Sequence, residues 1–149
     1  MCMYKVKAVL NDEDIIKFEN MRYKAFNYDK TISSVEQSSY SNAIKNMERY
    51  AFFCIDENEQ AIGGILLSEK NQKLFITYLF VEEKSRNKKA GSFLLNYVVE
   101  HKEMFENLFF EDIQCVVAEP LLESTDFYYE NGFDSYRNLV YKKLKKNNH

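Results

Sequence analysis

Three cations stand around one glycine in Arg86-Asn87-Lys88-Lys89-Ala90-Gly91, and the chain then runs straight into Ser92-Phe93-Leu94-Leu95. The first N–H groups of a helix have no intrahelical acceptor, and the helix dipole makes that end positive. A basic loop opening a helix is therefore built to hold an anion, a phosphate above all, and Gly91 lets the backbone approach it closely. The plainer alternative is a solvated basic loop, because charge runs are commonly exposed surface. A second stretch, Phe127-Tyr128-Tyr129-Glu130-Asn131-Gly132-Phe133, sets two phenols just before a helix-stopping glycine. Its plain reading is an aromatic packing stripe.

Other chemistries are short of residues. The 4 glycines, Gly63, Gly64, Gly91 and Gly132, allow neither a Walker loop nor a dinucleotide fingerprint. The 2 histidines, His101 and His149, leave no Ser-His-Asp, Cys-His or metal cluster to write. The 3 cysteines, Cys2, Cys54 and Cys115, are odd in number and widely spaced, so no disulfide framework or zinc knuckle follows and a reducing compartment fits. A net charge of −3 argues against a general nucleic-acid binder, so any anion site is local. Lysines interrupt the N-terminus where a signal peptide is apolar, and the longest apolar run, Ala61 to Leu67, is too short to span a bilayer. The expectation is a cytoplasmic chain with no membrane partner.

These residues need elements to position them. Met3 to Val9 alternates as a half-buried strand, then Asn11 caps a helix whose first turn carries Asp12, Glu13 and Asp14. Ile15, Phe18, Met21, Arg22, Ala25 and Phe26 recur at helical spacing. A second helix is predicted from Ser34, with Ser34 and Gln37 as a capping box and Tyr40, Ala43, Ile44 and Met47 as its buried stripe. Tyr50 to Val81 reads as three strands in an antiparallel meander, followed by the basic loop and a helix carrying Ala90, Phe93, Leu94, Tyr97 and Val98. A strand at Ile113 to Val117, a short helix from Leu122 to Asn131 and a last strand at Asn138 to Leu144 complete the order. The meander requires antiparallel pairing and the later strand-helix-strand unit a parallel crossover. The expected fold is therefore α/β: one domain over residues 1–149 with a mixed, mostly antiparallel sheet flanked by helices on both faces.

The element order and both motifs resemble the GNAT acetyltransferase superfamily, whose members carry an acetyl group from acetyl-CoA to an amine. Its pyrophosphate loop reads Gln/Arg-x-x-Gly-x-Gly/Ala; this chain matches at Arg86 and Gly91 and departs at Lys89, where the family usually has glycine. Phe127, Tyr128, Gly132 and Phe133 match the family's Phe-Tyr-x-x-x-Gly-Phe at every specified position, whereas Leu121 and Ser124 replace an asparagine and an alanine often found just before it.

The resemblance implies acetyl-CoA as cosubstrate and no metal. It assigns the pyrophosphate to the backbone of Arg86, Asn87, Lys88, Lys89, Ala90, Gly91 and Ser92, with the ammoniums of Lys84, Lys88 and Lys89 near the pyrophosphate or the 3′-phosphate. The thioester arm falls to the backbone of Leu79, Phe80 and Val81. Tyr128 becomes the general acid for the departing thiolate, with Tyr129 as the out-of-register neighbour. The acceptor, a small-molecule or peptide amine, would meet Tyr23, Phe26 and Tyr28, with Tyr40 and Phe52 extending an aromatic wall; core packing accounts for each of these equally well. The fourth strand contains no acid, which leaves Asp29, Glu36 or water as base. Two other readings stand beside this one: an acetyl-CoA-binding sensor without turnover, and a protein-interaction domain forming a homodimer through its last strands.

Overall fold

The computed structural model describes residues 3–26, 42–44, 46, 48–121 and 124–145. The strands among them are β1 (Lys5–Ala8), β2 (Arg49–Ile55), β3 (Ala61–Lys70), β4 (Lys73–Val81), β5 (Cys115–Ala118), β6 (Asp134–Tyr136) and β7 (Leu139–Lys143). They form one sheet in the order β1-β2-β3-β4-β5-β7-β6. The helices are α1 (Asp12–Ala25), α2 (Ala90–Glu100), α3 (Lys102–Phe109) and α4 (Thr125–Glu130). β4 and β5 are parallel, and every other pairing is antiparallel. No helix among the described residues is long and apolar enough to cross a membrane.

Local chemistry explains most boundaries. Asn11 Oδ1 accepts from the Asp14 N–H at 2.8 Å, and Asp12, Glu13 and Asp14 sit in the positive first turn of α1. Most of the predicted second helix lies outside the described residues; residues 42–44 are helical. The helix expected after the basic loop ends at Glu100, and a further helix follows directly after the break at His101 (φ −109°, ψ 34°). The apolar spacing resumes beyond the break, so the pattern did not reveal it. β6 was not expected at all: Asp134, Ser135 and Tyr136 are exposed and carry no alternation to read.

The alternation of β2 sorts its side chains between two cores. Phe52 and Cys54 join Leu94, Leu95, Val98 and Phe105 on one face, while Ala51, Phe53 and Ile55 join Ile15 and Phe18 of α1 on the other. Helices therefore cover both faces. Each fully buried phenylalanine contributes about 1.5–3 kcal/mol relative to exposure.

The consequential irregularity is in β4. Leu66 opposes Tyr78 and Leu67 opposes Ile76, so Thr77 stands outside the ladder as a bulge. Leu74 and Ile76 face the α2 side; beyond the bulge it is Leu79 and Val81 that face α2, while Tyr78 and Phe80 face α1. One inserted residue reverses the sidedness of the strand's last turn of pleat. β5 pairs with β4 only from Lys73↔Cys115 to Ile76↔Ala118 and stops before Glu119 and Pro120, the latter having no N–H to donate. The end of β4 is left without a neighbour on that side.

Candidate active site

A cavity of about 550 Å³ opens at this unpaired end. Its walls come from β4 (Leu79, Phe80, Val81), from the loop and first turn of α2 (Ser85, Arg86, Asn87, Lys89 to Ser92), and from α4 with its cap (Ser124, Phe127, Tyr128).

Along β4 the ladder fixes which way the main-chain groups point. The Glu82 N–H donates to Ile62 O at 2.8 Å, which sets the parity of the antiparallel ladder. The pairs Gly63↔Val81 and Ile65↔Leu79 are consequently the ones that exchange no hydrogen bonds, and the peptide groups of Leu79 and Val81 turn outward to the side β5 has vacated. Phe80 contributes main chain only, because its ring meets Phe18 edge-on (5.1 Å, 73°) in the α1-side core.

At the start of α2, Lys89 is the N-cap in a left-handed conformation (φ 65°, ψ 16°) and makes no side-chain capping bond. Asn87 also has φ 65°. This conformation costs a non-glycine residue about 1–2 kcal/mol, less for asparagine. The first intrahelical bond runs from the Phe93 N–H to Lys89 O (2.9 Å), so the N–H groups of Ala90, Gly91 and Ser92 point out of the helix end without an intrahelical acceptor. Arg86 serves differently from the expected anion ligand. Its Nε donates to Val81 O (3.1 Å) and its guanidinium to Ala25 O (2.8 Å), bracing the loop between the ends of β4 and α1, and its own N–H is taken by Glu83 O. Lys88 is not in the cavity wall; its carbonyl accepts the Tyr4 hydroxyl at 2.6 Å. Lys84 is exposed, 3.9 Å from Glu82.

The two motifs touch at Gly91. A Cβ there would lie 3.1 Å from Phe127 Cζ, so the missing side chain is the seat of the Phe127 ring as well as a freedom of the loop. Gly132 (φ 84°) ends α4, and the Phe133 N–H bonds back to Tyr128 O. Tyr128 is 6% exposed, with Phe127 and Phe133 each 5.3 Å away and edge-on. Burial pushes its pKa up to about 12. Tyr129 is 46% exposed and is absent from the wall.

A model of the acetyltransferase (GNAT) family matches residues 15–133. The chain belongs to the GNAT family. Solved structures share the fold at low identity. A GNAT-family acetyltransferase from Staphylococcus aureus Mu50 superposes with TM-score 0.68 at 19% identity, covering 96% of this chain and 100% of the other. Spermidine N-acetyltransferase from Vibrio cholerae, in complex with CoA and spermine, gives 0.74 at 15%, covering 95% of each. The PaiA N-acetyltransferase of Thermoplasma acidophilum, in complex with coenzyme A, gives 0.66 at 17%, covering 95% and 99%. No curated protein sequence matches the chain.

Of the residues expected to meet the acceptor in this GNAT chain, the described ones lie away from the cavity. Tyr23 is buried beneath the Arg22 guanidinium (4.4 Å), Phe26 packs on the α1-side core, and neither is in the cavity wall. Tyr28, Asp29, Glu36 and Tyr40 lie outside the described residues. Phe52 is core, against Tyr97 (5.2 Å) and Phe105 (6.4 Å). The sequence reading missed a buried ion pair on α1: Glu19 holds Arg22, whose guanidinium also lies 3.9 Å over the Tyr78 ring. Two charged residues three apart on an otherwise apolar helical face were its signal. Ser85, Ser124 and Phe127 were also missed as wall residues. Among the described residues, no carboxylate or imidazole lines the cavity. Neither described thiol is poised as a nucleophile: Cys54 is 0% exposed with its pKa pushed up to about 12, and burial raises Cys115 against the opposing pull of Lys73 and Lys143.

Proposed function

We propose that residues 1–149 form an acetyl-CoA-dependent N-acetyltransferase domain that moves an acetyl group to a primary amine by direct attack on the thioester. One observation carries the reading: the uncapped start of α2, the outward peptides of β4 and Tyr128 all open on one cavity. The N–H groups of Ala90, Gly91 and Ser92 suit pyrophosphate oxygens, with the Lys89 ammonium adding charge. The peptide groups of Leu79 and Val81 suit an extended amide-bearing arm, and an outward N–H there can support a developing oxyanion. Acetyl-CoA supplies the activated carbonyl.

Tyr128 keeps its proton at any working pH. Because its pKa lies above the roughly 8.5 of a free thiol, full transfer to a thiolate is uphill, and its role is to donate a hydrogen bond to sulfur as the C–S bond breaks. Attack of the amine forms the C–N bond and a tetrahedral oxyanion, whose collapse breaks the C–S bond, and the proton lost by the amine balances the one gained by the thiol. With no acid or imidazole in the described wall, water receives the amine proton first. Among the described thiols, buried Cys54 and half-buried Cys115 both have raised pKa values, which favours direct attack over an acyl-cysteine route.

A second reading, acetyl-CoA binding without turnover, draws on that same lack of a base. The experiment is thiol release from acetyl-CoA across a panel of small amines and peptides. Amine-dependent release is expected. Binding without release from any amine would favour the second reading, and no binding of CoA would overturn both.

A further inference from the structure

Tyr4 precedes β1 and is far from the cofactor loop in sequence, yet it grips that loop at two points. Its ring packs on Phe93 in the first turn of α2, with centroids 5.5 Å apart, and its hydroxyl donates to Lys88 O at 2.6 Å. The bonded carbonyl belongs to the peptide joining Lys88 to Lys89; Lys89 has φ 65°, and so does Asn87, one residue before Lys88. A peptide group is planar, so an anchor on the Lys88 oxygen fixes the rotation of the whole plane, and with it φ of Lys89. Glycine reaches that left-handed φ without cost; lysine does not.

We propose that Tyr4 is a positioning residue for cofactor binding. Its hydroxyl holds the Lys88-to-Lys89 peptide and thereby keeps Lys89 left-handed, so that the N–H groups opening α2 converge on the phosphate. The tether does for this chain what a glycine at position 89 would do through backbone freedom. The proposal rests on the acetyl-CoA reading above.

The test is a double-mutant cycle of wild type, Tyr4→Phe, Lys89→Gly and the double variant, read by calorimetric Kd for CoA and by kcat at saturating acetyl-CoA. Phenylalanine keeps the ring on Phe93, so folding survives, and a cooperative apo melting curve confirms it. Tyr4→Phe is expected to raise Kd about tenfold in the wild-type background, the loss of one well-made hydrogen bond, and by less than about twofold in the Lys89→Gly background. The kcat should not change, since Tyr4 touches no reacting atom. Equal losses in the two backgrounds, or no loss in either, would overturn the proposal. A wild type that fails to bind CoA would instead overturn the acetyl-CoA reading. The tether is then read in unliganded protein by amide exchange at residues 89–92: faster exchange in Tyr4→Phe, suppressed in the double variant relative to Lys89→Gly alone, supports it, and unchanged exchange sinks it.

Discussion

Tyr128 belongs both to the core and to the cavity wall, and this division sets what removal of its hydroxyl should do. Tyr128→Phe keeps the packing against Phe127 and Phe133, so we expect CoA affinity within about threefold of wild type. Turnover should fall about 10²-fold, the low end for a group acting on the leaving atom, because Tyr128 donates only a hydrogen bond and a thiolate leaves tolerably unaided. Tyr129→Phe, at an exposed side chain, should leave turnover unchanged. Parallel kinetics on both variants check this, and a drop confined to Tyr129→Phe would reassign the role. At Lys89 two effects oppose. Glycine removes the cost of the left-handed turn but loosens the unfolded chain by about half as much, so Lys89→Gly should stabilise the unliganded protein by about 0.5–1 kcal/mol, a melting rise of about 2 °C.

At the scale of elements, close approach of β3 to β4 and of α2 to α4 shapes the cavity, and a glycine permits each. A Cβ on Gly63 would lie 2.5 Å from the Phe80 carbonyl oxygen, a main-chain atom in the ladder that cannot step aside. At Gly91 the nearest atom belongs to the Phe127 ring at 3.1 Å, which has room to tilt. Gly63→Ala should therefore destabilise by about 1–3 kcal/mol in urea melts and Gly91→Ala by less than about 1 kcal/mol, and the reverse order would refute this account of the two contacts. Gly91→Val goes further, since a branched side chain against Phe127 displaces α4 and Tyr128 with it. Both CoA affinity and turnover should drop in that variant.

Across the whole molecule, ligand and proton linkage are the measurable consequences. Acetyl-CoA at about 100 times its Kd should add roughly 2.7 kcal/mol of stability, or about 5–10 °C in Tm. A melting curve unmoved by saturating ligand would remove the cofactor reading. Titration gives the other handle. Burial raises Tyr128 from 10.0 to about 12 and Cys54 from 9.0 to about 12, and raises Tyr50 and Cys115 as well. All four are neutral when protonated, and the folded state keeps its protons to higher pH than the unfolded one. Their contribution is thus complete below about pH 9 and falls as pH rises toward 12, because the unfolded chain ionises first. Urea midpoints should decline over that window, and Tyr128→Phe should decline less steeply above pH 10.

Periodicity, capping residues and the two glycine-bearing motifs are local, and the sequence by itself determined what depends on them: the strands of the meander, the capped start of α1, the basic entry to α2 and the GNAT resemblance. It could not show β6, whose three exposed residues carry no pattern, or the break at His101, where the apolar spacing continues through the turn. The rest is decided by contacts between residues far apart in the chain. The Arg86 side chain has no visible anchor until Ala25, 61 residues away, is found to accept from its guanidinium. Tyr4 has no visible role until its hydroxyl meets Lys88 across 84 residues. The side of β4 that faces the cavity turns on Thr77 being squeezed out of the ladder with β3, a choice made by the register of two strands and not by the alternation of either one.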